Sequence, residues 1–126
     1  MGYTLEVRSD GSIIWVTWNE DFDVEKDLIS TIKKVRKLLD AAQGPIVEVT
    51  DIRKVNQNWD DMLRASNTTA HESPTHPNLV GRIVITDNEV SAAVAKNLDN
   101  ETFGNMKIYP VSTPEEALTL ARRMLE

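Results

Sequence analysis

The first eighteen residues restrict the fold more than any other part of the chain. Tyr3, Leu5 and Val7 alternate with Thr4, Glu6 and Arg8, the period of a strand with one wet face. Ser9-Asp10-Gly11-Ser12 comes next, and Asp-Gly supplies the positive φ angles of a tight hairpin turn. Ile13 to Trp18 is then almost continuously apolar, β-branched or aromatic, which predicts a strand covered on both faces, away from the sheet edge. Trp15 and Trp18 are an odd distance apart, so on such a strand they face opposite sides, and one or both belong to the core. The chain therefore opens with an antiparallel pair.

Beyond this pair the chain alternates between helix and strand. Asn19 to Asp23 is a polar connection, with Asp23 as helix N-cap. Val24, Leu28, Ile32, Val35, Leu39 and Ala42 recur at helical spacing, Ile29 and Leu38 widen the stripe, and Gly44-Pro45 ends it. Ile46 to Ile52 predicts a buried strand, with Glu48 leaving one face partly wet. Trp59, Met62, Leu63, Ser66 and Ala70 predict a shorter helix, opened by Asn58 or Asp60 and lost in the proline segment at 71–78. Leu79 to Thr86 is a further buried strand, and Asp87 caps a helix carrying Val90, Val94 and Leu98. Residues 99–105 form a loop and Met106 to Val111 a short last strand. Thr113-Pro114-Glu115-Glu116 is a capping box with proline at the first helical position. It opens a helix striped by Ala117, Leu118, Ala121, Met124 and Leu125. The order is ββαβαβαβα in a single domain over 1–126. It describes an α/β protein with a mixed five-stranded sheet flanked by helices, parallel after the hairpin, with right-handed crossovers.

Composition narrows the chemistry. With no cysteine, disulfides, thiolate metal sites and thiol nucleophiles are excluded. A net charge of −6 opposes attraction to nucleic-acid phosphates and anionic lipid, so neither nucleic acid nor membrane is an expected partner. The basic clusters, Lys33-Lys34 with Arg36-Lys37 and Arg122-Arg123, fall on helices that also carry acids, which makes them solvated faces. No apolar run approaches the roughly 18 residues of a membrane span, and no basic-then-apolar leader precedes Tyr3. A cytoplasmic location is the expectation.

Asp51 is the strongest single candidate for chemistry, because a carboxylate just beyond a parallel strand can bind Mg²⁺ or accept phosphate. A phosphoacceptor of that kind also needs an acidic pair near the first strand and a lysine after the last. This chain starts with a hairpin, and Pro110 follows Tyr109. The favoured reading is that Asp51 hydrogen-bonds loop amides at the strand end. His71 and His76, with Glu72 between them, resemble a zinc cluster only in composition. Pro74 prevents a helical pair, and no second cluster supplies the remaining ligands. The five glycines are scattered at 2, 11, 44, 81 and 104, so no phosphate-cradling loop exists. No Gly-x-Ser-x-Gly elbow exists either. Asp60-Asp61 and Glu115-Glu116 complement helix dipoles. No catalytic, cofactor or metal site is expected. Trp59, beside Asn56-Gln57-Asn58, either anchors a partner, lines a pocket, or staples a helix start to the sheet.

The opening hairpin, the long first crossover helix, "IVEVTDIRKV" at 46–55, "LVGRIVIT" at 79–86 and "VSTPEEALTLARRML" at 111–125 together resemble the STAS and SpoIIAA-like domain family. Its best-known members are anti-sigma-factor antagonists. The resemblance implies a helix, following the strand at 46–52, that in phosphorylated members opens with a phosphoacceptor serine. Helix-end amides stabilise such a phosphate. The corresponding stretch here, "NQNWDD" at 56–61, holds no Ser, Thr or Gly. The expectation is a non-enzymatic regulatory or protein-interaction module without the phosphoserine switch. Its partner would be a protein, met through Asp51, Arg53, Asn56, Asn58, Trp59 and Asp60, with the 71–78 loop beside them. The alternative is a small-molecule or lipid-like ligand-binding domain, which an apolar cavity near Trp59 would favour. Homodimerisation through an exposed edge strand is open to a domain of this size.

Overall fold

The fold is that of a computed structural model describing residues 2–8, 11–55, 59–72, 76–89, 91–93 and 108–126; within the second helix the side chains at 59, 62, 66 and 69–72 also lie outside it. Strand β1 (Tyr3–Arg8) pairs antiparallel with β2 (Ile13–Trp18), with Arg8 opposite Ile13. Gly11, in the connection, adopts φ +94°, a conformation strained for any residue with a Cβ. Next come α1 (Lys26–Ala41), β3 (Ile46–Asp51), α2 (Trp59–Glu72) and β4 (Leu79–Ile85). A short helix α3, described at residues 89 and 91–93, then leads towards β5 (Ile108–Val111) and α4 (Pro114–Met124).

Among the described residues the sheet has five strands in sequential order, β1-β2-β3-β4-β5, and β2 to β5 are parallel. Right-handed crossovers between successive neighbours carry their helices to the same face. Accordingly α1 and α2 share one core: Leu28, Val35, Leu39 and Ala65 pack with Ile14, Val16 and Trp18. On the opposite face α4 packs Ala117 and Ala121 against Ile13, Trp15, Val47, Val49, Ile83 and Ile85. Two covered faces explain why the central strands are nearly continuous apolar runs. Trp15 and Trp18 enter opposite cores, and both are buried. Gly81 lets α4 lie close to β4, since a Cβ there would sit 2.6 Å from Met124 Sδ.

Local signals set several boundaries, and pairing moved others. Asp23 Oδ1 accepts the amides of Glu25 (2.8 Å) and Lys26 (3.0 Å), so it does cap the turn entering α1, although the regular helix starts at Lys26. Helix α1 stops at Ala41, and Ala42 is already extended. β3 ends at Asp51; Ile52 leaves the strand while its amide still donates to the Ile85 carbonyl at 3.1 Å. α2 continues through His71 and Glu72 into the segment expected to be irregular. Ala65, outside the expected stripe, is buried, its small side chain allowing close approach to the sheet. Val7 is 49% exposed rather than covered, because β1 is the sheet edge and Val7 lies at its hairpin end.

Asn88, not Asp87, caps α3. Its Oδ1 accepts the Ser91 amide (3.3 Å) and its carbonyl the Ala92 amide (3.1 Å), while Asp87 is exposed. β4 stops at Ile85, and Thr86 Oγ1 accepts the Asn88 amide at 3.1 Å, which sets the helix start one residue later. Val90, Val94, Leu98, the 99–105 loop and Met106 lie outside the described residues. The N-cap half of the Thr113 box forms as expected, Thr113 Oγ1 accepting the Glu116 amide at 3.2 Å behind Pro114, while the Glu116 carboxylate meets the Thr113 hydroxyl (3.5 Å) instead of its amide. Thr113→Ala is expected to cost about 1 kcal/mol, read as a lowered midpoint in thermal unfolding.

Candidate functional site

β3, β4 and β5 end side by side, Asp51 beside Ile85 and Ile85 beside Val111. Ligand sites in open α/β sheets lie beyond these strand ends. The residues just past them (Arg53 and Lys54, Thr86 to Asn88, Thr113 and Glu115) therefore gather at one rim of the sheet. The Thr86 amide, donating to the Val111 carbonyl at 2.9 Å, ties two of the three exits together.

Asp51 shares its parity with Val47 and Val49 and so faces the α4 side. Its Oδ1 accepts the Arg53 amide (3.1 Å) and Arg53 Nε (3.0 Å), and its Oδ2 accepts Arg53 Nη2 (2.8 Å). The result combines a turn closed by a carboxylate with a bidentate guanidinium fork. The two ends differ in exposure, 10% for the Asp51 side chain and 37% for that of Arg53. Burial opposes ionisation of Asp51. The Arg53 guanidinium and amide, aided by the charges of Arg53 and Lys54, outweigh that and hold the carboxyl below its ordinary value. In return the fork with Asp51 raises the Arg53 pKa against the effect of burial, with Asp87 and Glu115 adding to the field.

An ionised carboxylate engaged this fully is a weak base and has little lone-pair capacity left for a cation. Among the described residues no group of three or more His, Cys, Asp or Glu is arranged to hold a metal ion. His76 is occupied structurally. Its Nδ1 accepts the Asn78 amide (3.1 Å), which leaves Nε2 to donate to Asp40 Oδ1 at 2.8 Å. Asn78 Nδ2 meanwhile reaches the Leu39 and Ala42 carbonyls and closes the end of α1. The side chain of His71 lies outside the described residues.

The structure thus brings together two of the six residues singled out in the sequence, Asp51 and Arg53. Asp60 is exposed in the first turn of α2. Asn56 and Asn58 lie outside the described residues, as does the side chain of Trp59, whose backbone begins α2. Sequence reasoning missed Asp87 and Glu115 as neighbours of Arg53; the available signal was that each closely follows a parallel strand end. It also missed the partner of Glu48, which is Arg82, directly opposite on β4. An open depression along α4, which shares Val111 and Glu115 with this rim, is lined further by Glu116, Thr119, Leu120 and Arg123. Among the described residues no helix is long and apolar enough to cross a membrane.

Fold and site together define an α/β domain with a mixed sheet whose parallel rim carries a locked aspartate–arginine pair. No protein-family model matches the chain, and no curated protein matches it either.

Proposed function

We propose that this chain is a non-enzymatic regulatory or protein-interaction module, STAS/SpoIIAA-like in kind and without the phosphoserine switch. It would meet a protein partner through the loop after β3 and the start of α2. The observation that carries this reading is the Asp51–Arg53 fork. It occupies the carboxylate that a reaction at this rim would need, and it leaves the outer part of Arg53 exposed next to exposed Lys54, with Asp60 exposed in the first turn of α2. A rigid turn presenting charges of both signs suits recognition of a folded polar surface. The opening hairpin followed by strand–helix alternation supports the kinship, and the absence of Ser, Thr and Gly from 56–61 argues against the switch.

Affinity capture from a native lysate tests the surface. The wild-type chain is compared with an Arg53→Ala/Trp59→Ala/Asp60→Ala variant whose circular dichroism is unchanged. A protein retained by the wild type and lost by the variant is the expected outcome. An identical set of captured proteins counts against the surface.

A further inference from the structure

We propose that the open edge of β1 is an interface between two copies of this chain, joined antiparallel about a two-fold axis at Val7 into one continuous sheet. This concerns a different surface from the rim around Arg53 and does not depend on it.

The ladder shows which groups are available. The Gly2 carbonyl accepts the Asn19 amide at 2.8 Å, and the register continues with Tyr3 opposite Trp18. Backbone groups alternate along an antiparallel pair, so residues 4, 6 and 8 bond to β2. Tyr3, Leu5 and Val7 direct their amides and carbonyls away from it. Among the described residues no strand lies on that side. Val7, one of the exposed large hydrophobic residues, sits on this edge at 49% exposure.

Charge selects the partner and the register. A two-fold axis normal to the sheet keeps each face on its own side, so only residues of like parity meet. An axis at Glu6 would put Glu6 against Glu6 of the partner subunit, and one at Leu5 would set Thr4 against Glu6 of the partner subunit. An axis at Val7 places Glu6 opposite Arg8 of the partner subunit and Arg8 opposite Glu6 of the partner subunit. Val7 then meets Val7 of the partner subunit in a hydrogen-bonded pair. Opposite charges facing each other across strands stabilise such a pair, and like charges destabilise it. Arg8 is already extended over the Trp15 ring at 4.0 Å and bonds Glu6 within its own strand at 3.0 Å. The joined edges would therefore form a two-by-two block of four charges in which every neighbour is of opposite sign.

The opposite edge of the sheet does not offer the same template. The Val111 carbonyl accepts the Thr86 amide, so Tyr109 and Val111 point towards β4 while Ile108 and Pro110 point outwards. Pro110 has no amide hydrogen to give. With one edge blunted and the other self-complementary, pairing closes at two copies instead of running on as a fibre.

Sedimentation equilibrium of the full chain at physiological ionic strength, across low to high micromolar concentration, should show a reversible dimer. Arg8→Glu and Glu6→Arg should each weaken self-association by about tenfold or more, since each sets like charges opposite one another twice. An equimolar mixture of these two variants should recover dimer, because every facing pair is then again of opposite sign. Val7→Pro removes an outward amide without touching the β2 ladder and should sediment as a monomer while circular dichroism shows it folded. A monomeric wild type overturns the proposal. So does a dimer undiminished by Val7→Pro or Glu6→Arg, or a mixture that stays monomeric. If Arg8→Glu fails to fold through loss of its contact with Trp15, the other two variants still decide the outcome.

Discussion

Arg82→Met is expected to lower the free energy of unfolding by about 3 kcal/mol, the scale for breaking one partner out of a buried ion pair. Glu48 and Arg82 stand directly opposite in the β3–β4 register, with Arg82 Nε 3.4 Å from Glu48 Oε2. Their side chains are only 16% and 9% exposed, on the face covered by α1 and α2. Removing the cation leaves the Glu48 carboxylate in a place where water solvates it poorly. Removing both charges does not. Glu48→Leu with Arg82→Met should therefore be less harmful than the sum of the single changes. Urea unfolding of all four proteins gives the coupling directly. Single variants that lose less than about 1 kcal/mol would show that the pair is already solvated and would sink the expectation.

The placement of that pair suggests what it contributes besides energy. Between Ile46–Leu79 and Val47–Gly81 the register advances two residues on β4 for one on β3, which leaves Val80 as an extra, exposed residue. A bulge is where two strands can most easily re-pair by one position. A one-residue slip of β4 would carry Arg82 to the face where Ile83 and Ile85 now pack under α4. Glu48, one strand away, holds Arg82 to its own face.

How much could be read from the residues alone divides by the range of the interactions. The hairpin, the opposite facing of Trp15 and Trp18, the Asp23 turn and the Thr113 cap depend on neighbours within about five residues, and each is legible in its own segment. The cap of α3 depends on where β4 stops pairing, so Asp87 and Asn88 look equally suitable until the sheet is built. Val7 carries the alternation of a covered strand, and only the strand order makes it an edge residue. Ala65 is buried because α2 lies close to the sheet, a distance that no stripe of large side chains encodes. Glu48 advertises an imperfect apolar face, yet its partner is 34 residues away. At the candidate site the turn around Asp51 was legible, since an aspartate after a strand bonds a following amide. The guanidinium fork was not, because an arginine two residues on can equally extend into solvent. Asn56, Asn58 and the side chain of Trp59 fall outside the described residues.

Asp51→Ala is expected to cost about 2 kcal/mol at neutral pH. It loses a charge-assisted fork and the acceptor of the Arg53 amide together. The cost stays below that of the Arg82 change because the outer part of the orphaned Arg53 remains in water. The pH dependence comes from the lowered pKa of Asp51. A carboxyl whose folded value lies below its unfolded value, about 3.9, stabilises the fold fully above that value and ceases to do so as pH falls through the folded one. The gap between wild type and Asp51→Ala should hold steady from neutral pH to about pH 5 and narrow below about pH 4. Urea unfolding at each pH measures it. Asp51→Asn separates the two contributions, since it keeps an oxygen for the Arg53 amide and gives up the charge. It should therefore fall between the other two proteins at neutral pH and approach the wild type in acid. A gap that persists undiminished at pH 3 would mean that shape rather than charge holds the turn. The charged pair would then no longer be what closes the turn after β3.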